Sequence, residues 1–177
     1  MFQRIAIVNR GEAAMRLIHA VRDLNAQSGP GGHRIETVAL HTTAEQQAKL
    51  AELQRVFAQV CNALAPLVHA SSCWNRVALH HMAYKRLRQE FPGLGSQMVC
   101  NAIYSVSRTC RAVYQHPQSP FNLQRLAGKP LPRVHFLPSA PVYFDRHTLS
   151  LRDGKASMYT LDGRMRFNLP LLPADEQ

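Results

Sequence analysis

The sequence predicts an α+β protein, on three observations. The first forty residues read as strand, helix, strand. A long middle carries three helical stripes with clean apolar faces. Residues 141–169 then alternate like a meander of short antiparallel strands.

Phe2 to Val8 is a short apolar run, and Asn9-Arg10-Gly11-Glu12 makes a polar turn after it. From Ala13 to Leu24 the pattern turns helical, with Met15, Ile18, Val21 and Arg22 on one side and Leu17, Ala20 and Leu24 widening the apolar face. The stretch from Gln27 to Gly32 is a break, and Ile35 to Leu40 supplies a second strand. This is the opening of a doubly wound sheet.

Thr43 and Gln46 fit a capping box, followed by the stripe Leu50, Leu53, Phe57, Val60 and Leu64, which Pro66 is expected to stop. A second helix is expected from near Ser72 to Phe91, burying Trp74, Val77, Tyr84 and Leu87, with His81, Lys85 and Arg88 on another face. Pro92-Gly93 ends it. The third, from about Gly95 to Gln115, holds Val99, Ile103, Val106, Cys110 and Val113 on one side. Tyr104, Arg108, Arg111 and Gln115 keep the same rhythm on the other. Asp153-Gly154 and Asp162-Gly163 mark two tight turns in the meander.

Composition narrows the function. The chain of 177 residues is 46% hydrophobic and 18% charged, values of a globular protein. Its net charge of +10 is uneven, with five basic and three acidic residues in 1–40 against sixteen and eight in 41–177. No Asp or Glu lies between Glu90 and Asp145, a window that holds Arg108, Arg111, Arg125, Lys129 and Arg133. Such a window attracts polyanions, because each neutralised phosphate releases condensed counterions. An aromatic, two arginines and an amide on one side of the third helix suit phosphate contact with base or ribose stacking. The alternative is a solvated face of helix-forming residues.

Cys61, Cys73, Cys100 and Cys110 form no C-x-x-C pair, and adjacent His80 and His81 point about 100° apart on a helix, so no metal site is expected. With no charged-then-apolar leader and no apolar run near about 18 residues, the sequence predicts neither secretion nor membrane insertion. A cytoplasmic protein is expected, with association with a bacterial nucleoid as the variant.

Two family resemblances follow from particular residues. Residues 5–25, running from Ile5 through Asn9-Arg10-Gly11-Glu12 to Asn25, resemble the N-terminus of biotin carboxylase. That family binds ATP and carboxylates biotin in a later region with no counterpart here, so the resemblance transfers no catalytic, cofactor or metal residue. From His41 onward, Glu45-Gln46, Asn62, the Phe91-Pro92-Gly93-Leu94 junction, Gln97, Asn101-Ala102 and residues 142–169 resemble the front half of TnpB-type RNA-guided transposon nucleases, over roughly 38–170. That resemblance implies a helical recognition lobe beside a wedge-like, oligonucleotide-binding-type barrel, gripping guide RNA and its heteroduplex with DNA. The family's RuvC-like nuclease domain has no counterpart in the sequence.

The resulting reading divides the chain into a carboxylase-like βαβ fragment (1–40), a helical region of about three helices (41–133), an antiparallel, partly barrel-like β region (134–172) and a tail (173–177). It assigns no catalysis and no cofactor. Nucleic acid, a guide-type RNA and DNA with it, is the partner. Arg76, Lys85, Arg88, Arg108, Arg111, Arg125, Lys129 and Arg133 supply phosphate contacts, and Tyr104 a stacking surface. The rival readings are an inert truncated fusion product and a carboxylase remnant that keeps some affinity for ATP.

Overall fold

The computed structural model describes residues 4–7, 12–27, 34–39, 42–152 and 155–168. The chain divides into two compact units, Met1–Ala44 with Leu169–Gln177, and Glu45–Asn168. Helices and a three-stranded antiparallel sheet make it an α+β protein.

In the first unit, strand β1 (Arg4–Ile7) and strand β2 (Glu36–Ala39) pair in parallel, with Arg4 opposite Glu36 and Ile7 opposite Ala39. Helix α1 (Glu12–Gln27) connects them. Of its expected apolar face only Val21 is buried, while Met15, Leu17 and Leu24 stay exposed. Asn25 closes the loop: its Nδ2 donates to Ile35 O at 2.8 Å and Ile35 N donates back to Oδ1 at 2.8 Å. Residues 9–11 of the polar turn and most of the glycine-rich break lie outside the described residues.

The second unit is built on three helices. Helix α2 (Ala44–Ser71) begins directly after Thr43 and buries Leu53, Phe57, Val60, Cys61, Leu64 and Val68. Pro66 does not stop it; the helix runs five residues further. A helical proline removes one hydrogen bond and crowds the carbonyls a turn earlier, here those of Asn62 and Ala63. The carbonyl deprived of its helical donor is that of Asn62; from the neighbouring helix Arg86 Nη2 donates to the next one, Ala63 O, at 3.2 Å.

Helix α3 (Arg76–Glu90) starts later than the sequence suggests, because Asn75 caps it by accepting from Val77 N and Ala78 N. That start fixes the phase. Leu79, Ala83 and Leu87 are buried, whereas Val77, expected in the core, sits about 200° around the helix from Leu79 and is 63% exposed. Trp74 and Tyr84 are half-buried at the margin.

Helix α4 (Ser96–Gln115) follows the expected pattern, with Val99, Ile103, Val106 and Cys110 buried in the common core with α2 and α3. Ser107 Oγ donates to Trp74 O at 2.6 Å, and the Trp74 and Tyr114 rings lie 5.3 Å apart. A short helix, α5 (Leu123–Leu126), ends at Ala127 in the left-handed region, with φ of 47°.

From Lys129 to His147 the chain is irregular, although strand structure is expected from Pro141. Helix side chains occupy its backbone groups instead. Tyr114 Oη donates to Pro132 O at 2.6 Å, and Gln54 Nε2 donates to Ser139 O at 2.9 Å. Only after Thr148 do strands β3 (Leu149–Arg152), β4 (Lys155–Thr160) and β5 (Gly163–Asn168) form an antiparallel meander in the order β3-β4-β5. Ala156, Met158, Met165 and Phe167 line its buried face. Asp153-Gly154 lies outside the described residues. At the other turn the loop is Leu161-Asp162, and Gly163 opens β5 opposite Thr160 with φ of 97°, which a side chain would strain.

Candidate nucleic-acid interface

The basic residues picked out from the sequence fall into three groups. Arg76 opens α3 and sits with its Cζ 5.4 Å from the centre of the Tyr104 ring on α4, within cation–π range. The other neighbour of Tyr104 is Tyr143, ring centres 4.6 Å apart and tilted by 40°. Tyr104 is therefore half-buried and partly covered by its own protein. Arg108 and Arg111, one and two turns further along α4, are exposed, as is Lys85 on α3.

The second group is structural. Arg88 is half-buried, and its Nη1 donates to the carbonyl of Leu94, which ties the end of α3 to the turn before α4. This bond arises because the Phe91–Gly95 turn brings the Leu94 carbonyl under the last turn of α3. Arg88 is thus a brace, and a phosphate would have to compete with that bond.

Arg125, Lys129 and Arg133 form the third group. All three are exposed, on α5 and the connection after it, outside the cluster of Arg76, Tyr104 and Tyr143.

Acidic side chains elsewhere in the unit pair locally. Glu45 meets Lys49 at 3.0 Å, Glu52 meets Arg55 at 2.5 Å and Glu90 meets Arg86 at 3.8 Å, each within one helix. Among the described residues, Arg76, Lys85, Arg108 and Arg111 have no carboxylate at ion-pair distance. Unneutralised guanidinium groups on one side of a helix are what a polyanion needs.

One carboxylate does lie nearby. Asp145 Oδ1 accepts from His147 N at 3.0 Å, Thr148 N at 3.0 Å and Thr148 Oγ1 at 2.9 Å, while Oδ2 accepts from Gln97 Nε2 at 2.5 Å. Partial burial works to raise its pKa, but the hydrogen bonds from Thr148, Gln97 and His147 together outweigh it and hold the carboxyl below its ordinary value. Asn101 Nδ2 adds a bond to the buried Thr148 Oγ1 at 3.2 Å. Gln97 and Asn101 thus pin the start of the sheet to α4.

Around this anchor lies a cleft of about 810 Å³, lined by Arg76, Gln97, Tyr143, Asp145, Arg146 and Leu149 among others. Sequence reasoning passed over Arg146 and Tyr143, reading both as ordinary strand positions. The only available signal was that Arg146 follows directly on the acid that closes the basic window.

The cysteines are free thiols. Burial pushes Cys61 up to about 12 and Cys110 up to about 11, so neither is a nucleophile near neutral pH. His80 stacks on Tyr84 with ring centres 4.6 Å apart. Among the described residues no three His, Cys, Asp or Glu side chains gather as a metal site, and no helix is long and apolar enough to cross a membrane.

Residues 1–84 match the family model of the biotin carboxylase N-terminal domain. No curated protein and no solved structure matches the chain. The carboxylase-like stretch is thus longer than the first forty residues, taking in α2 and the first part of α3. Nothing among these comparisons supports the transposon-nuclease resemblance over the same helices.

Proposed function

We propose that the Glu45–Asn168 unit binds nucleic acid, RNA foremost, through the exposed basic side of α4, and performs no catalysis on it. The observation that carries this reading is the row of unpaired guanidinium groups at Arg108 and Arg111, set in a window without a single acid from Phe91 to Phe144. Phosphate contacts of this kind bring affinity without sequence preference. The finer reading, a guide-type RNA held as in the front half of TnpB-type proteins, rests on the resemblance over 38–170 alone.

The test is RNA binding at several salt concentrations. Reversing both charges, Arg108→Glu with Arg111→Glu, is expected to weaken binding and to flatten the dependence of log K on log salt by about 2, one for each lost phosphate contact. Unchanged affinity and slope would sink the assignment.

The family match over residues 1–84 favours a second reading, a carboxylase-derived fragment with residual affinity for ATP. Its discriminator is stabilisation by ATP, since a ligand that binds only the folded state raises Tm with its concentration. A Tm independent of ATP, with RNA binding present, selects the first reading. If neither ligand binds, the inert fusion product is the better account.

A further inference from the structure

The cleft between the start of α3, helix α4 and residues 143–151 carries more information than the arginine row. Its cationic side is Arg76 and Arg146, both exposed. Arg146 Nε donates to His147 Nε2 at 3.4 Å, which leaves four of its five N–H groups for a ligand. The one carboxylate in the wall, Asp145, is held in place by His147, Thr148 and Gln97 and lies beyond ion-pair distance of both arginines; its single charge stands against two guanidinium charges in the same wall. The apolar side is Tyr143, Phe144, Leu149 and Leu151, of which Leu151 is 61% exposed.

Flat apolar surface beside two unpaired guanidinium groups matches an aromatic anion. The cleft is wide open to solvent, so its lining and not its volume selects the ligand: bases paired and stacked inside a double helix cannot lay their faces on the Tyr143 and leucine wall, whereas an unpaired base can. An acidic peptide would use the arginines but would leave the aromatic and leucine wall wet. Tyr143 touches Tyr104, and Tyr104 begins the row that Arg108 and Arg111 continue, about 10 Å along the α4 axis. The cleft therefore opens onto the same path as the proposed phosphate contacts.

We propose that this cleft takes one unpaired nucleotide of a bound single strand, with its phosphate at Arg76 and Arg146 and its base on the Tyr143, Leu149 and Leu151 wall. The proposal rests on the nucleic-acid reading above and adds to it a preference for single strands over duplex. Stacking of a base on an aromatic wall is sequence-tolerant, so no base preference is expected.

The experiment uses the full chain with two probes, a twelve-nucleotide oligouridine containing one 2-aminopurine and a blunt RNA duplex of equal length. Arg146→Glu and Leu151→Ser change exposed side chains, so both variants should keep the wild-type Tm. Each is expected to abolish the 2-aminopurine quench and to weaken single-strand binding by about tenfold, the scale of one lost base contact; Leu151→Ser should hold duplex affinity within about twofold, while the reversed charge of Arg146→Glu should weaken duplex as well, but clearly less than strand. Equal weakening of strand and duplex would reduce the cleft to bulk charge and overturn the proposal. So would wild-type behaviour of both variants while Arg108→Glu with Arg111→Glu still weakens RNA; that outcome leaves the broader reading standing. Wild-type protein that binds neither probe overturns both. Free 2-aminopurine ribonucleoside monophosphate binding as tightly as the oligonucleotide would assign the cleft to a small-molecule nucleotide and overturn the strand proposal.

Discussion

Asn62 and Phe136, 74 residues apart, exchange two hydrogen bonds: Nδ2 donates to the Phe136 carbonyl at 2.8 Å, and the Phe136 amide donates to Oδ1 at 2.8 Å. The side-chain amide thus stands in for a strand partner. It satisfies both backbone groups of a residue buried in an irregular connection, where no ladder exists to do so. Replacing Asn62 by Ala leaves both groups unpaired. The expected loss is about 1–3 kcal/mol in denaturant titration, with the slope unchanged. Asn62→Asp keeps the acceptor but sets a carboxylate oxygen against the Phe136 carbonyl, and at pH 7 should cost at least as much as the Ala variant. An undiminished midpoint for the Ala variant would show that water replaces the side chain at no cost.

Asp145 gives the protein an acid-sensitive joint. Partial burial raises its pKa and the bonds from Thr148, Gln97 and His147 lower it, with the bonds prevailing. A carboxyl held lower in the folded state stabilises the fold above its unfolded pKa of about 3.9, and that stability drains away as pH falls through the lower folded value. Asp145→Asn should therefore lower Tm at pH 7 and lose the part of the acid-induced decline that belongs to this group. Parallel Tm profiles from pH 6 to pH 2 would mean that Asp145 does not set the joint.

The thiols should separate by burial. Cys61 and Cys110 are buried with pKa values pushed to about 12 and about 11, whereas Cys73 is half-exposed between α2 and α3. Access decides the rate, so a thiol reagent at pH 8 should label Cys73 quickly. Cys61 and Cys110 should react only after denaturant is added. Labelling of all four at one rate in buffer would be incompatible with the helical core.

Pro66 shows where the sequence could be read and where it could not. The apolar stripe of α2 was legible because five positions repeat at helical spacing, and α4 was legible for the same reason. The continuation past Pro66 was not, since it rests on packing against other helices, with Val68 buried in the core that α2 shares with α3 and α4. Long-range partners of this type leave no local trace. The same holds for residues 141–148, whose strand-like composition is overruled by the turn around Asp145 and its bond to Gln97, and for the cleft, whose walls come from segments about 50 residues apart in sequence. The exposed arginines of α4 were legible because amphipathic spacing alone puts them opposite Val99 and Ile103. Pro66→Ala should raise stability by about 1–3 kcal/mol, since the helix already runs through this position and would regain the missing donor. A lower Tm would show that proline stabilises the fold by restricting the unfolded chain.

The family match and the packing divide the chain at different places. The match runs to Tyr84, while the second compact unit begins at Glu45. Between those positions Leu53, Phe57, Val60, Leu64, Leu79 and Ala83 are buried, in one cluster with Val99, Ile103 and Val106 of α4. Helices that share a core hold little structure apart, because most helical stability comes from covering the apolar face. An excised segment of residues 45–168 should therefore unfold in a single cooperative transition, with a heat capacity change appropriate to its size. A segment of residues 1–84 should lack a cooperative transition, its α2 and α3 faces having lost α4. If instead residues 1–84 melt cooperatively and residues 45–168 do not, the stretch shared with the carboxylase family is the true folding unit, and the core on α4 is secondary to it.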